Sequence, residues 1–273
     1  MEKNSLSIPV AIVIAGIIIA GAVFFSNNKG PAQNRAETGN GPDSNGAQDM
    51  ELEIKPVSAE DHVLGRPDAP VIIVEYSDTE CPFCKRFHTT MNSLVSSEFG
   101  KSGKLAWVYR HFPLWKEEGG RPALHSRAGK EAEALECAGK IGGNGKFWEY
   151  TNRLYEITPA NNQLDPAELP KIAAEVGLNA NAFNACLSSS EFAAKVDSQY
   201  TEARDIGATG TPFSVIVASK PFDRKKISDV INGLSAQYGS SLSFFSFSSD
   251  NRRIGMSGSQ PEPIVKAIIE ALQ

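Results

Sequence analysis

The tetrapeptide Cys81-Pro82-Phe83-Cys84 decides the fold of this chain. Before it, Val71-Ile72-Ile73-Val74-Glu75-Tyr76 is a β-branched run without clean alternation, which predicts a central strand covered on both faces. After it, apolar residues at helical spacing predict a long amphipathic helix, and these residues are Phe87, Met91, Leu94, Val95 and Phe99. Pro82 suits the first helical turn, where its missing N–H costs nothing. The sequence therefore predicts a strand, a turn, a pair of cysteines and a helix, in that order.

Two cysteines in this position can open and close a disulfide. The thiolate is the reactive form of cysteine, and the N-terminus of a helix stabilises negative charge. We therefore predict that the pKa of Cys81 is lowered and that Cys81 attacks or is attacked. Cys84 lies one turn further inside, where it is more buried and can resolve a mixed disulfide. The alternative is half of a zinc site, but Cys137 and Cys186 lack CxxC partners, so we expect a redox pair and no metal.

Two further features are candidates for the same site. Glu75 lies in the predicted central strand, shortly before Cys81. A buried carboxylate there could relay protons and oppose thiolate formation, and the alternative is an edge glutamate that faces water. Thr211-Pro212 stands just before a predicted strand, which is compatible with a cis bond. A cis-proline that faces the cysteines would expose the backbone of Thr211 for pairing with a substrate.

Composition limits the classes of function. The chain has 273 residues, of which 41% are hydrophobic, and its net charge is −5. This is an ordinary globular composition, and no basic run predicts nucleic-acid binding. Four cysteines, an even number, suit an oxidising compartment.

Local amino-acid composition divides the chain into four parts. Residues 1–7 form a short N-terminal tail, and residues 8–25 form an uncharged apolar run that predicts a transmembrane anchor. Residues 26–50 are rich in Asn, Gly, Ala, Pro and Asp and predict a flexible linker, so the folded domain takes residues 51–273. A cleaved signal peptide is the alternative for the apolar run, with Ala20-Gly21-Ala22 as the cleavage site. We expect a single-pass protein of the cell membrane, with its domain on the extracytoplasmic side.

Within the domain, the pattern predicts an α/β fold. Leu105–His111 reads as a second strand, which gives a βαβ unit with the first. Helical patterns without a strand-like run fill about residues 121–206 and predict an inserted helical subdomain. Phe213–Ala218 predicts a further strand. An extra segment of about residues 219–251 contains a short amphipathic pattern and begins a hairpin, and Pro263–Leu272 predicts a terminal helix.

Taken together, these motifs resemble the DsbA-like branch of the thioredoxin superfamily, and most of all its membrane-anchored bacterial forms. The resemblance runs from about Ile54 to the C-terminus. It is carried by Val63-Leu64-Gly65-Arg66-Pro67-Asp68-Ala69-Pro70, Val74-Glu75-Tyr76-Ser77-Asp78, Cys81-Pro82-Phe83-Cys84, His111-Phe112-Pro113-Leu114, Glu136-Cys137-Ala138, Lys146-Phe147-Trp148-Glu149-Tyr150 and Gly210-Thr211-Pro212.

The resemblance implies a thioredoxin fold with a helical insert. It implies that Cys81 is the nucleophile, Cys84 the resolving cysteine and Pro212 the cis-proline, and it puts Glu75 where family members keep a buried acid. The implied activity is the formation or exchange of disulfides in exported proteins that carry thiols. A quinone-linked membrane partner of the DsbB or VKOR type would reoxidise the cysteine pair, and no cofactor beyond that pair is implied.

The resemblance also bears on the other two cysteines. Family members with cysteines at Cys137 and Cys186 often pair them, which implies a structural disulfide. The alternative is two buried free thiols that behave as small hydrophobic residues.

Two departures from the family leave the function open. Phe83 stands where the most oxidising relatives have histidine, so a disulfide reductase or isomerase is an alternative to an oxidase. The extra segment replaces what is usually a tight hairpin, and its Ser/Phe run, Ser240–Ser249, would either cover an edge strand or form a contact surface. We expect burial of these phenylalanines against the domain. An exposed run would suit a third alternative, a chaperone or binding module that does not use the redox chemistry.

Overall fold

The computed structural model describes residues 47–117 and 119–273. The predicted tail at residues 1–7, the predicted anchor at residues 8–25 and most of the predicted linker lie outside these residues. Within the described part of the chain, no helix is both long and apolar enough to cross a membrane.

Among the described residues, seven strands form one mixed sheet, in the order β1-β6-β7-β5-β3-β4-β2. The third strand in the chain lies inside this sheet, parallel to β4 and antiparallel to β5. The strands are β1 (Gln48–Asp49), β2 (His62–Gly65), β3 (Val71–Ser77), β4 (Leu105–His111), β5 (Phe213–Ala218), β6 (Phe245–Phe247) and β7 (Arg253–Ser257).

Strand β3 is buried on both faces, as its lack of alternation predicts. Val71 and Ile73 pack into one hydrophobic cluster with the helices on their side of the sheet. Val74 and Tyr76 pack into a second cluster on the opposite face. Because side chains alternate along a strand, Glu75 shares its face with Ile73 and is directed into the first cluster.

Helices cover both faces of the sheet and form the predicted insert, which consists of α3 to α6. The α/β class and the helical insert are therefore confirmed. The helices are α1 (Pro82–Ser96), α2 (Glu98–Lys101), α3 (Ala128–Ile157), α4 (Glu168–Glu175), α5 (Ala180–Ser189), α6 (Ala193–Asp205), α7 (Arg224–Tyr238) and α8 (Glu262–Ala271), with a 3₁₀ turn at Leu242–Phe244.

Helix α3 has a kink near its middle. Gly143 there has φ 77° and ψ −177°, a conformation that glycine adopts without steric cost. The N-terminal half carries Cys137 and the C-terminal half carries Tyr155. The kink lets one long segment pack along the sheet and still bring residues from both halves to the CxxC loop.

The predicted end of the flexible linker at residue 50 is too late. Gln48 pairs with Ser246 and Asp49 with Phe247, so β1 is the outermost strand of the sheet and the folded region begins before it. The Asp49 carboxylate also accepts a hydrogen bond from Arg224 at 2.6 Å. Composition does not reveal this strand, because both of its side chains are exposed and polar.

The extra segment folds onto the domain. It forms α7, the 3₁₀ turn and β6, and α7 packs beside α8. Phe245 and Phe247 are buried, whereas Phe244 is 45% exposed. The predicted burial therefore holds for two phenylalanines of the run, and the third remains at the surface.

Candidate active site

The two cysteines of the tetrapeptide lie at the start of α1, and both are free thiols. Cys81 is the N-cap residue, with extended backbone angles φ −84° and ψ 121°, and Pro82 occupies the first turn. Cys84 has no exposed surface, whereas Cys81 is 4% exposed. The first backbone N–H groups of α1 have no partner within the helix and point towards its N-terminus, where Cys81 lies. They favour a negative charge on the Cys81 sulfur.

The two thiols differ in acidity, as their positions predict. A hydrogen bond from the Cys84 thiol lowers the pKa of Cys81 to about 6, and a further one from the Thr211 side chain outweighs part of the cost of burial. The negative charge of Asp78 acts in the opposite direction. For Cys84 itself, burial and the neighbouring Cys81 raise the pKa well above the usual thiol value. Cys81 is therefore the thiolate at neutral pH, and Cys84 holds a proton.

Thr211 and Pro212 face the outer cysteine. The peptide bond between them is cis. In its protonated form, the Cys81 thiol donates to the carbonyl oxygen of Thr211 at 3.4 Å. The hydroxyl of Thr211 is buried and has no hydrogen-bond partner among the described residues, so it is free to donate to a Cys81 thiolate. The carbonyl of Pro212 accepts a hydrogen bond from the N–H of Gly258 at 2.8 Å, and this bond fixes the loop.

Glu75 is fully buried beneath the cysteine pair, so it is not an edge residue that faces water. Its carboxyl accepts hydrogen bonds from the Ser77 hydroxyl at 2.7 Å and from the Trp107 indole N–H at 2.9 Å. Burial raises its pKa to about 8, although both hydrogen bonds oppose the rise, and the charge on Cys81 adds to it. Glu75 is therefore protonated at neutral pH and titrates close to it.

A chain of hydroxyl groups leads away from Glu75. The Ser77 hydroxyl lies 3.0 Å from the hydroxyl of Tyr155, which lies 3.0 Å from the hydroxyl of Tyr109. All of these groups are buried. Tyr155 belongs to the helical insert, so the insert contributes to the site and is not only a cover for the sheet. The sequence alone does not single out Tyr155 or Tyr109. Tyr155 reaches Ser77 only through the packing of the insert, and Tyr109 lies opposite Glu75 through the pairing of β3 with β4.

Asp78 holds the loop that leads into the tetrapeptide. Its carboxylate accepts hydrogen bonds from the N–H of Leu114 at 2.7 Å and from Nδ1 of His125 at 2.8 Å. Its own backbone N–H donates to the Cys84 sulfur at 3.4 Å. Although burial opposes it, the bond to Asp78 raises the pKa of His125. In the sequence, Asp78 stands out only as part of a motif shared with the family, and His125 lies in a loop without periodicity and does not stand out at all.

A cavity of about 630 Å³ opens beside the tetrapeptide. It lies between the start of α1, the cis-proline loop and the extra segment, and its wall includes Phe83, Thr211, Tyr238 and Phe244. Phe83 is 53% exposed. Aromatic side chains therefore form part of the cavity wall.

The other two cysteines form a disulfide within the insert. Cys137 in α3 and Cys186 in α5 are bonded, and their Cα atoms are 5.9 Å apart. The bond joins two helices of the insert, as the family resemblance implies. Among residues 47–117 and 119–273, no three His, Cys, Asp or Glu side chains are arranged to hold a metal ion.

A thiol pair at a helix start, a cis-proline against the outer thiol and a buried acid below it define a thiol–disulfide oxidoreductase of the thioredoxin type. Comparison with known families agrees with this class: the thioredoxin family model matches residues 58–233. The chain belongs to the thioredoxin family.

Solved structures share this fold over about four-fifths of the chain. DsbA2 from Pseudomonas aeruginosa is 23% identical and has a TM-score of 0.55 over 80% of this chain and 97% of its own. A variant of alpha-DsbA1 from Wolbachia pipientis is 20% identical, with a TM-score of 0.57 over 79% of this chain and 92% of its own. At these identities the similarity establishes a DsbA-like fold.

Higher sequence identity is found with part of a different kind of protein. Na(+)/H(+) antiporter NhaA 1 of Mycolicibacterium gilvum is 35% identical over 165 residues, which are 59% of this chain and 24% of the antiporter. The chain thus spans about a quarter of the length of the relatives it matches, and the activity in their name is not carried over to it.

Proposed function

We propose that this protein exchanges disulfides with the thiols of exported proteins through Cys81 and Cys84. The observation that supports it most directly is the acidity of Cys81, whose thiol faces the Thr211 carbonyl and has the proton-bearing Cys84 behind it. A solved structure with the same fold, from Wolbachia pipientis, is described as a thiol-disulfide exchange protein, at 14% identity and a TM-score of 0.55.

In the oxidising direction, a substrate thiolate attacks the Cys81 sulfur of the Cys81–Cys84 disulfide. The bond between the two cysteines breaks, a mixed disulfide forms between substrate and Cys81, and Cys84 leaves with the electron pair. Cys84 then takes a proton, because its pKa is high. A second substrate thiolate attacks the substrate sulfur of the mixed disulfide. Cys81 leaves as a thiolate, which its low pKa favours. The substrate is oxidised by two electrons and the cysteine pair is reduced.

The reducing direction uses the same steps in reverse. The Cys81 thiolate attacks a substrate disulfide and releases one substrate thiolate. Cys84 then loses its proton and attacks Cys81, which releases the second substrate thiolate and closes the Cys81–Cys84 disulfide.

We assign the transfer of the Cys84 proton to Glu75, whose charge raises the pKa of Cys84 and so acts on that thiol. Its pKa of about 8 means that both the acid and the carboxylate are accessible near neutral pH. Protonated Glu75 supplies the proton when Cys84 leaves, and ionised Glu75 accepts it when Cys84 attacks. The hydroxyls of Ser77 and Tyr155 continue the hydrogen-bonded chain on the far side of the carboxyl.

We also propose a location. Residues 8–25 would anchor the chain in the cell membrane, with the domain on the extracytoplasmic side, and a quinone-linked membrane partner of the DsbB or VKOR type would reoxidise the pair. The Cys137–Cys186 disulfide supports this side of the membrane, because structural disulfides persist in oxidising compartments. Protease treatment of intact cells tests it: the domain should be digested from outside, and full protection of the domain would contradict it.

Trapping tests the exchange reaction. Cys84→Ser should accumulate a mixed disulfide between Cys81 and a synthetic peptide that carries one disulfide, because nothing resolves it. The matched control is Cys81→Ser, which keeps Cys84 but should form no adduct, since Cys84 is fully buried. Absence of an adduct in Cys84→Ser, or equal adducts in both variants, would contradict the proposal.

A reductase or isomerase is the second candidate. Phe83 places an uncharged and 53% exposed side chain between the cysteines, so no cation at that position stabilises the thiolate further. The reduction potential separates this candidate from a strong oxidase. A binding module without redox chemistry has less support, since Phe245 and Phe247 are buried and do not form the exposed surface it needs.

A further inference from the structure

Two more carboxyl groups lie next to the cysteine pair, and the mechanism above does not use them. Glu80 directly precedes Cys81 and has no exposed surface, and Glu131 in α3 is 2% exposed. Glu80 lies in the CxxC loop and Glu131 in the first turn of the insert, so the pair joins two elements that are far apart in the sequence. Two buried carboxyl groups in contact cannot both ionise without a large cost.

The hydrogen-bond partners of this carboxyl pair contain no cation among the described residues. Glu80 Oε2 accepts from the backbone N–H of Asn162 at 2.5 Å, and the Glu80 carbonyl accepts from the N–H of Asn161 at 2.8 Å. Glu131 Oε2 accepts from the Thr79 hydroxyl at 2.6 Å. These neutral donors leave the pair without an opposite charge to balance two carboxylates.

One oxygen of the pair has no partner. Glu80 Oε1 is buried and accepts no hydrogen bond from the described residues. A buried carboxylate oxygen without a donor is costly. A proton on Glu131 would remove this cost, since the acid could donate it to Glu80 Oε1. The acidity of Glu131 agrees: burial and the hydrogen bond with Glu80 raise its pKa, and the Thr79 bond only partly opposes the rise.

We propose that Glu131 keeps its proton and donates it to Oε1 of Glu80, so that the pair places one negative charge, and not two, beside Cys81. The pair thereby limits the repulsion that a Cys81 thiolate meets. Glu80 and Glu131 are positioning residues that act through Cys81, and their role rests on the exchange function proposed for that cysteine.

Other titratable groups face the pair from each neighbouring element. Asp78 lies on the same loop and adds negative charge. His125, in the loop before α3, forms a hydrogen bond with Asp78 and responds to the charges of Glu80 and Cys81. Tyr150, in the second half of α3, would be affected by a negative charge on Glu131 if that group ionised. With the Asp78–His125 bond already made, a second carboxylate at Glu131 would add uncompensated charge to this cluster.

The number of charges on the pair can be read from the pKa of Cys81 in two variants. Glu80→Gln removes the charge that the pair carries and should lower the pKa of Cys81 by up to about one unit. Glu131→Gln replaces a neutral acid with a neutral amide that can donate the same hydrogen bond, so the pKa of Cys81 should not change. The pH dependence of alkylation of the reduced full-length protein by iodoacetamide gives this pKa without a substrate.

Glu133→Gln is the matched control. Glu133 lies in the same turn of α3 and is paired with Lys130 at 3.3 Å, and its replacement should leave the pKa of Cys81 unchanged. Equal downward shifts in Glu80→Gln and Glu131→Gln would show two charges on the pair and overturn the proposal. No shift in Glu80→Gln would show that the pair does not act on Cys81 and would also overturn it.

Infrared spectroscopy provides a readout that does not depend on Glu80→Gln folding. In a Glu75→Gln background, which removes the other protonated carboxyl, a buried-acid carbonyl band should persist at pH 7 and disappear when Glu131→Gln is added. The proposal is contradicted if the band persists in the double variant, or if it is already absent in Glu75→Gln alone. Failure of the trapping experiment would instead remove the exchange function and leave the charge of the pair as measured.

Discussion

Replacement of Cys84 by serine or by alanine separates its hydrogen bond from its redox chemistry. The Cys84 thiol is the largest influence that lowers the pKa of Cys81 to about 6. Serine keeps a donor at this position, and alanine removes it. A hydrogen bond to a charged group stabilises it by about 1.5–3 kcal/mol, and one pKa unit corresponds to about 1.4 kcal/mol. The pKa of Cys81 should therefore be about one to two units higher in Cys84→Ala than in Cys84→Ser.

The rate of alkylation by iodoacetamide as a function of pH measures this difference. Each variant has one free thiol, because Cys137 and Cys186 are bonded to each other. If the pKa rises from about 6 to about 8, the ionised fraction of Cys81 at pH 7 falls from roughly nine-tenths to roughly one-tenth. A reaction profile that is the same in both variants would show that the helix start and Thr211 set the acidity, and it would refute the reasoning.

Three further predictions concern stability and tuning. Because burial raises the pKa of Glu75 from 4.5 to about 8, its contribution to stability is fully present below pH 4.5 and is lost as the pH rises through 8. Glu75→Gln should flatten this fall in urea denaturation, and an unchanged pH dependence would contradict the assignment. The double variant Cys137→Ala, Cys186→Ala removes a disulfide that spans 49 residues. It should lower the free energy of unfolding by roughly 4 kcal/mol, and a loss below about 1 kcal/mol would contradict a stabilising role for this disulfide. Phe83→His adds a partly charged ring near the thiolate and should lower the pKa of Cys81, as thiolate absorbance would show.

The sequence predicted those parts of the site that depend on local structure. Cys81 was assigned its acidity from its position at a helix start, and the structure places it as the N-cap. Glu75 was expected in a strand covered on both faces, and the burial of that strand is what raises its pKa. In both cases a short stretch of sequence contains the main cause, although Thr211, from a distant part of the chain, also lowers the pKa of Cys81.

The parts that were missed depend on distant contacts. Tyr155 reaches Ser77, and His125 reaches Asp78, through the packing of the insert, and neither residue stands in a distinctive pattern. Strand β1 has exposed polar side chains and is placed by backbone pairing with β6 and by the contact of Asp49 with Arg224. Its composition predicts a linker, because the side chains of an exposed edge strand carry no signal of the strand with which its backbone will pair.

The same limit explains why the Glu80–Glu131 pair was not anticipated. Each carboxyl alone resembles an ordinary surface residue of a turn or a helix. Only the folded chain shows that both are buried and that Glu80 Oε1 has no donor.

The reduction potential of the Cys81–Cys84 pair, measured by equilibration of the full-length protein with glutathione, tests the central claim most directly. A pKa of about 6 for Cys81 lies between the values of about 7 for thioredoxin and about 3.5 for DsbA. A more acidic thiol stabilises the reduced form, so the potential should fall between about −270 mV and about −120 mV, and nearer the first value. A pair that forms no reversible disulfide, or one with a potential below that of thioredoxin, would contradict the account.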